Sequence, residues 1–156
     1  TDLNLIKNSL LGPVAVSTGI YKCPGDSTDN VRSYSENWAM NNDDPVGQYP
    51  AGFQIFRKAT SMPSPSQYFV FIDESSDTID NAHFKVALDT AYATAISDNP
   101  AAYHGQAGNT SFADGHAASR RWRSKPVRDI NPDGIWLAQH STLPANGSGW
   151  PAPIMP

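Results

Sequence analysis

Proline and glycine interrupt this chain so often that a bundle of long helices is excluded. The 156 residues contain 13 Pro and 11 Gly, and both residues weaken the interior of helices and strands. We therefore expect short elements joined by turns and irregular loops. Hydrophobic residues make up 39% of the chain, which is enough for a folded core, so wholesale disorder is not expected.

The clearest predicted element is a strand at residues 68–72, Tyr-Phe-Val-Phe-Ile. Because it is apolar on both faces, we place it at the centre of a sheet. Further strands are predicted at residues 20–23, 31–40, 109–113 and 116–122. Together with a short N-terminal helix and one or two later helical turns, these strands predict an α+β fold built on an antiparallel sheet.

Local turn and capping signals define several boundaries. Asp2 is a candidate N-cap for a helix over residues 2–11, and single helical turns are predicted within residues 55–61 and 135–140. Asp114-Gly115 predicts a two-residue type I′ hairpin in which Ala113 lies opposite His116. We expect a globular headpiece at residues 1–142 and an irregular or disordered Pro/Gly-rich tail at residues 143–156.

The charge of the chain indicates no nucleic-acid partner. The net charge is -4, and basic residues cluster only in the stretch from Arg120 to Arg128. That stretch is typical of a solvated strand edge, where basic side chains prevent unwanted pairing. A contact patch for an acidic neighbour is the alternative. No apolar run is long enough to span a membrane.

Cysteine usage restricts the chemistry. Cys23 is the single cysteine, so neither an internal disulfide nor a thiolate cluster can form. Its position before Pro24 indicates a buried apolar thiol and not an activated nucleophile.

The candidate metal ligands are His104, Asp114 and His116, with Asp73 and Glu74 as candidate neighbours. Histidine and carboxylate side chains are the usual ligands of zinc and similar metals, and Asp114 and His116 flank a tight turn. Three interpretations stay open. Asp114 serves the turn while His104 pins a loop by a hydrogen bond, the group holds a structural cation, or it holds a catalytic metal.

Tryptophan and asparagine residues offer two further surface functions. The four tryptophans could stack on sugars, although core packing is the more frequent role of this side chain. Asn109 and Asn146 each begin an Asn-x-Ser/Thr pattern and are candidate glycosylation sites.

Five segments resemble a known family in the same order. Residues 103–116 contain His104, nine intervening residues and Asp114-Gly115, and resemble the "H-X9-DG" segment of prepilin-type proteins of planctomycetes, verrucomicrobia and their relatives. Residues 21–26 resemble the "kCPaD" turn of that family, residues 32–37 its "RSySmN" strand and residues 71–74 its central strand with an acidic end. Residues 135–142 resemble its closing "WLqehTt". The chain is thus similar to the headpiece of a type IV pilin-like protein, or pseudopilin.

This resemblance implies properties that the composition does not show. Family members begin with a leader and a long apolar helix, which holds the precursor in the inner membrane and later forms the filament core. We expect this sequence to be the headpiece without that helix, so that membrane contact comes only through the missing segment. The implied partners are copies of the chain itself and other pilin-like subunits, at the bacterial cell surface or outside the cell, in a type IV pilus or type II secretion system.

The resemblance also bears on the motif residues. It implies no enzymatic role for His104 or for Asp114-Gly115. Major pseudopilins carry calcium in a C-terminal loop, so a structural cation such as calcium near Asp114 is an analogy at the family level. Cys23 could pair with a cysteine in the missing segment.

The sequence therefore favours a structural filament subunit that acts by self-assembly and is not an enzyme. The first alternative is a carbohydrate-binding or adhesive surface module that uses exposed tryptophans. The second is a metal-dependent hydrolase centred on His104, Asp114 and His116, which would require all three side chains around one ion.

Overall fold

The computed structural model describes residues 2–15, 17–41, 52–86, 88, 98–123, 132–147 and 150. Within these ranges, five strands form one sheet in the order β3-β1-β2-β4-β5. The strands are β1 (Tyr34–Asn37), β2 (Phe69–Asp73), β3 (His83–Phe84), β4 (Ala107–Phe112) and β5 (Ala117–Arg121). The α-helices are α1 (Leu3–Lys7) and α2 (Pro132–Ser141), and four short 3-10 helices precede β2.

The α+β class is confirmed, and the sheet is antiparallel in three of its four described pairings, with one parallel pairing at β3. β2 pairs antiparallel with β1 and β4, and β4 pairs antiparallel with β5. β3 pairs parallel with β1, with Glu36 opposite His83. The chain reverses direction between β2 and β3. Because β1 is also antiparallel to β2, β3 runs in the same direction as β1.

The predicted central strand is confirmed. β2 lies third among the five strands, and its Phe69 and Ile72 side chains are almost fully buried. Aromatic and β-branched residues favour a pleated, enclosed strand, and this strand is rich in both. Its buried side chains join a core whose other members come from several elements, namely Phe84, Val86, Leu88, Phe112, Trp122, Leu137 and Ala138.

The hairpin between β4 and β5 forms where predicted, but its register is shifted by one residue. Ser111 lies opposite Ala117, and Phe112 N–H donates to the His116 carbonyl over 2.8 Å. The connection is therefore three residues long. Gly115 has φ +93°, whereas Asp114 has no positive φ, so the type I′ turn cannot form and Gly115 takes the left-handed position of a three-residue loop.

The N-terminal segment contains one confirmed element and one error. Asp2 caps α1 by accepting a hydrogen bond from Asn4 N–H over 2.8 Å, although the helix ends at Lys7. The strand predicted at residues 20–23 is wrong, because Thr18–Tyr21 forms a 3-10 helix. Ser17 Oγ accepts from Gly19 N–H over 3.1 Å, and this local cap favours the helical turn.

The C-terminal part packs more closely than expected. α2 is ten residues long and carries Leu137, which is fully buried. In the tail, Pro144 forms a bridge to Phe53, and the Trp150 ring stacks on the Phe53 ring with 5.2 Å between centroids. Pro144 and Trp150 of the tail therefore contact the headpiece.

Candidate functional site

Cys23 lies in a turn whose backbone is fixed on both sides. Asp26 N–H donates to the Cys23 carbonyl over 3.0 Å, which closes the turn that the sequence predicts. Cys23 N–H donates to Ser33 Oγ over 3.1 Å, and Gly25 N–H donates to Cys23 Sγ over 3.3 Å. The thiol is buried but has polar neighbours, so the expectation of an apolar environment is corrected.

Asp73 occupies the last position of β2. Its Oδ2 atom accepts a hydrogen bond from the backbone N–H of Asn109 in β4, over 2.9 Å. Burial raises the pKa of the Asp73 carboxyl, while the hydrogen bond from Asn109 and the nearby His104 act in the opposite direction. The carboxylate is thus held at the junction of two neighbouring strands.

His104 lies in the tight turn that leads into β4. Backbone hydrogen bonds join His104 and Ala107 in both directions, at 3.1 and 3.2 Å. Gly105 and Gln106 between them have positive φ angles of 64° and 70°. This turn directs the imidazole towards Cys23 and Asp73.

The three side chains converge on one point. His104 Nε2 lies 3.2 Å from Cys23 Sγ and 3.6 Å from Asp73 Oδ2. One ligand atom from each residue lies within 4.8 Å of the other two. We call this group the Cys23–Asp73–His104 cluster. Cys23 and Asp73 are buried, whereas the His104 side chain is 39% exposed, so the cluster opens to solvent at the imidazole.

The cluster does not have the geometry of a nucleophile–histidine–acid triad. In a triad, the nucleophile contacts one ring nitrogen, and the acid orients the imidazole through the other. Here both Cys23 Sγ and Asp73 Oδ2 approach the same atom, His104 Nε2. Three donor atoms that face a common centre are instead typical of a metal-binding site.

The metal site predicted at His104, Asp114 and His116 is corrected, because its members lie at opposite ends of β4. His104 precedes this six-residue strand, and Asp114 follows it. A strand of that length spans about 20 Å. Asp114 Oδ1 and His116 Nδ1 do pair at 2.6 Å on the exposed turn, and the hydrogen bonds from His116 hold the pKa of Asp114 below its usual range.

Glu74 lies beside the cluster but faces a different set of groups. It is fully buried, and its Oε2 accepts a hydrogen bond from Ser35 Oγ. Burial raises the pKa of this carboxyl to about 7. Tyr103 Oη donates to the Glu74 carbonyl over 3.1 Å. Glu74 thus connects β1, β2 and the segment before His104.

The tryptophans are packed against other side chains. Trp122 is 5% exposed, and its Nε1 donates to the Ala101 carbonyl over 2.8 Å. The Trp136 ring stacks on His140 with 4.1 Å between centroids, and the Arg120 guanidinium lies 4.5 Å from the Trp136 centroid. Lys85 Nζ lies 4.3 Å from the Trp38 centroid. These contacts occupy ring surface that sugar stacking would need.

The remaining sequence candidates lie apart from the cluster. Asn109 is in β4, where its Oδ1 accepts a hydrogen bond from Ser119 Oγ over 2.5 Å, and Asn146 is on an exposed turn. In the basic stretch, Arg120 pairs with Asp133 at 3.1 Å. β5 is an edge strand, as the strand-edge interpretation requires, and residues 124–131 lie outside the described part of the chain.

Comparison of the chain with family models, with curated proteins and with solved structures finds no match. Across the described residues, no helix has both the length and the apolar character needed to cross a bilayer.

The sequence pattern indicates Asp73 only as a neighbour of a histidine site and indicates no metal chemistry for Cys23. The cysteine lies 81 residues from His104, and no local spacing connects them. The available signal was the combination of a Cys-Pro-Gly turn with a carboxylate at the end of the central strand.

Proposed function

We propose that this chain is a structural subunit of an extracellular or envelope-associated pilus-like filament and acts by self-assembly. The observation that carries the proposal is an apolar surface on the N-terminal segment. All the large hydrophobic side chains that are exposed in the described part of the chain lie between residues 3 and 20. They are Leu3, Leu5, Leu10, Leu11, Val14 and Ile20.

The exposure of these side chains is high. Leu10 is 98% exposed, Val14 is 77% exposed and Leu5 is 73% exposed. Residues 3–20 contain a single charged side chain, Lys7. An apolar surface depleted of charge is typical of the centre of a protein–protein interface. We assign this surface to contact with a second copy of the chain, because repeated contact between unlike surfaces generates an open filament.

The contacts among the five resembling segments also support a pilin-like headpiece. Each segment touches another through side chains that hold the fold. The contacts are Cys23 with Ser33, Ser35 with Glu74, Cys23 with His104, Asn37 with Ser141 and Phe112 with His140. Such contacts give the motifs a role in maintaining the headpiece, which a structural subunit requires.

Sedimentation velocity over a range of concentrations tests the proposal. The wild-type chain should self-associate, and Leu10→Lys should weaken association at least tenfold. The reason is that burying one leucine contributes about 1.5–3 kcal/mol and each 1.4 kcal/mol changes affinity about tenfold. Ala118→Lys, on the exposed face of β5, is the control and should associate like wild type.

Two results would contradict this function. A wild-type protein that stays monomeric at every concentration would contradict self-assembly. Equal association of Leu10→Lys and wild type would show that the apolar surface of residues 3–20 does not form the contact. Negative-stain microscopy of the native full-length protein provides a second measurement, since it should appear in fibres or in an envelope secretion complex. The carbohydrate-binding and hydrolase alternatives have no comparable support within the described residues.

A further inference from the structure

We propose that the Cys23–Asp73–His104 cluster binds one zinc ion or a similar borderline-soft divalent transition metal ion. In tetrahedral zinc sites, bonds of about 2.3 Å to sulfur and 2.0–2.1 Å to nitrogen place these two atoms about 3.5 Å apart. The corresponding distance between nitrogen and a carboxylate oxygen is about 3.4 Å. The observed distances are 3.2 Å from Cys23 Sγ to His104 Nε2 and 3.6 Å from His104 Nε2 to Asp73 Oδ2. These two distances are within a few tenths of an ångström of the tetrahedral values. The third pair, the Cys23 sulfur and an Asp73 carboxylate oxygen, lies within 4.8 Å, against about 3.6 Å in a tetrahedral site.

The donor set selects the class of metal. Thiolate and imidazole ligands favour zinc and neighbouring transition metals, whereas calcium and magnesium prefer oxygen ligands. This site therefore differs in chemistry from the calcium that the family analogy suggests near Asp114.

Backbone groups orient two of the three ligands. Gly25 N–H donates to Cys23 Sγ over 3.3 Å, and Asn109 N–H donates to Asp73 Oδ2 over 2.9 Å. Hydrogen bonds of this kind hold metal ligands in place and are part of a built site.

The cluster is open to solvent on one side. The imidazole side chain is 39% exposed, so the ion can enter from solvent and a water molecule can complete four-coordination. The ligands come from the turn before β1, the end of β2 and the turn before β4. A bound ion would thus connect three segments that are distant in sequence, and it would stabilise the folded state.

Metal titration of the purified chain, after removal of bound metal with a chelator, tests the proposal. We expect one zinc ion per chain by competition with a chromogenic chelator. At zinc about a hundredfold above Kd, linkage should raise Tm by about 5–10 °C. Cobalt should give a thiolate-to-metal charge-transfer band in the near ultraviolet, and calcium should cause no Tm shift that depends on this cluster.

Three variants locate the ion. Cys23→Ser and His104→Gln should each weaken zinc binding at least about a hundredfold, and Cys23→Ser should abolish the cobalt charge-transfer band. His116→Gln is the matched control, because His116 also pairs with an aspartate, at 2.6 Å on an exposed turn. It should bind zinc like wild type. Since the His104 side chain is partly exposed, His104→Gln should fold even if Cys23→Ser does not, and circular dichroism checks this.

Several results would overturn the proposal. One is a wild-type chain that binds no stoichiometric zinc and gives no cobalt charge-transfer band, since the cluster is then only a thiol–imidazole hydrogen bond. Another is equal loss of zinc binding in His104→Gln and His116→Gln. Full retention of zinc binding in a folded His104→Gln would also exclude this site.

Discussion

The side-chain amide of Asn37 joins the sheet to the end of α2. It is 1% exposed, and its Nδ2 group donates to the carbonyls of Phe69 and Ser141, both over 2.8 Å. Its Oδ1 atom accepts from Ala39 N–H over 3.0 Å. One buried amide therefore connects β1, β2 and the last residue of α2.

Replacing Asn37 with alanine should destabilise the chain by about 3–4 kcal/mol. Three hydrogen bonds are lost, each with a net contribution of about 0.5–1.5 kcal/mol, and the buried backbone groups lose this partner. The loss is a large fraction of a typical unfolding free energy of about 5–15 kcal/mol. In a chain of this size, it corresponds to a decrease in Tm of about 10 °C.

Urea unfolding, followed by tryptophan fluorescence and circular dichroism, measures the free energy of unfolding of each variant. Asn81→Ala is the matched control. Asn81 is exposed, and its Oδ1 accepts a single hydrogen bond from His83 N–H over 2.8 Å, so its loss should cost about 1 kcal/mol or less. If Asn37→Ala costs no more than this control, Asn37 does not join the sheet to α2 as described.

Two further substitutions test the core and the pH dependence. Gly108→Ala should cost about 1–3 kcal/mol by overpacking, because an added Cβ would lie 2.6 Å from the Ala101 carbonyl oxygen and 3.0 Å from Trp122 Nε1. Burial, with a smaller effect of a nearby arginine, lowers the pKa of His140 below its ordinary 6.5, although the hydrogen bond to the Trp136 carbonyl opposes this. The free energy of unfolding should therefore be highest, with respect to His140, above pH 6.5 and should decrease as the pH falls below that value. In His140→Gln, the free energy of unfolding should decrease less over the same pH range.

Gly108→Ala and His140→Gln each need their own control and have their own contradicting result. For the glycine, Gly19→Ala is the control, since its added Cβ would meet only Ser17 Oγ at 3.4 Å. Equal unfolding free energies for the two variants would show that Gly108 is not tightly packed. For the histidine, the unfolding free energy is measured between pH 5 and pH 7.5. An identical slope in wild type and His140→Gln would contradict the assignment.

The sequence predicts β2 well because its composition and its burial favour the same structure. Where several backbone conformations have similar local energies, tertiary contacts decide which of them a segment adopts. β3 is two residues long and exists only through its pairing with Glu36 and Asn37, so no local pattern marks it. The hairpin turn depends on whether Asp114 adopts positive φ, and the one-residue shift follows because Gly115 alone does so.

The candidate site was less predictable than the fold for the same reason. The sequence identifies His104 as a candidate ligand, but its partners are decided by its position at the start of β4. Sequence spacing placed it near Asp114, whereas the intervening strand separates them. Cys23 and Asp73 join it only because β2 and β4 are neighbours in the sheet and the Cys23 turn packs next to them.

The turn that contains Cys23 links the apolar N-terminal segment to the Cys23–Asp73–His104 cluster. The apolar surface of residues 3–20 precedes this turn, and Ser33 connects the turn to β1 by donating to the Tyr21 carbonyl over 2.9 Å and accepting from Cys23 N–H. Filament growth requires the same relative orientation of two surfaces in every subunit, since a variable contact would not propagate. An ion at the Cys23–Asp73–His104 cluster would fix the end of the apolar segment against β2 and β4. The orientation of the proposed assembly surface would then depend on Asp73 and His104, two ligands that lie far from it in the sequence.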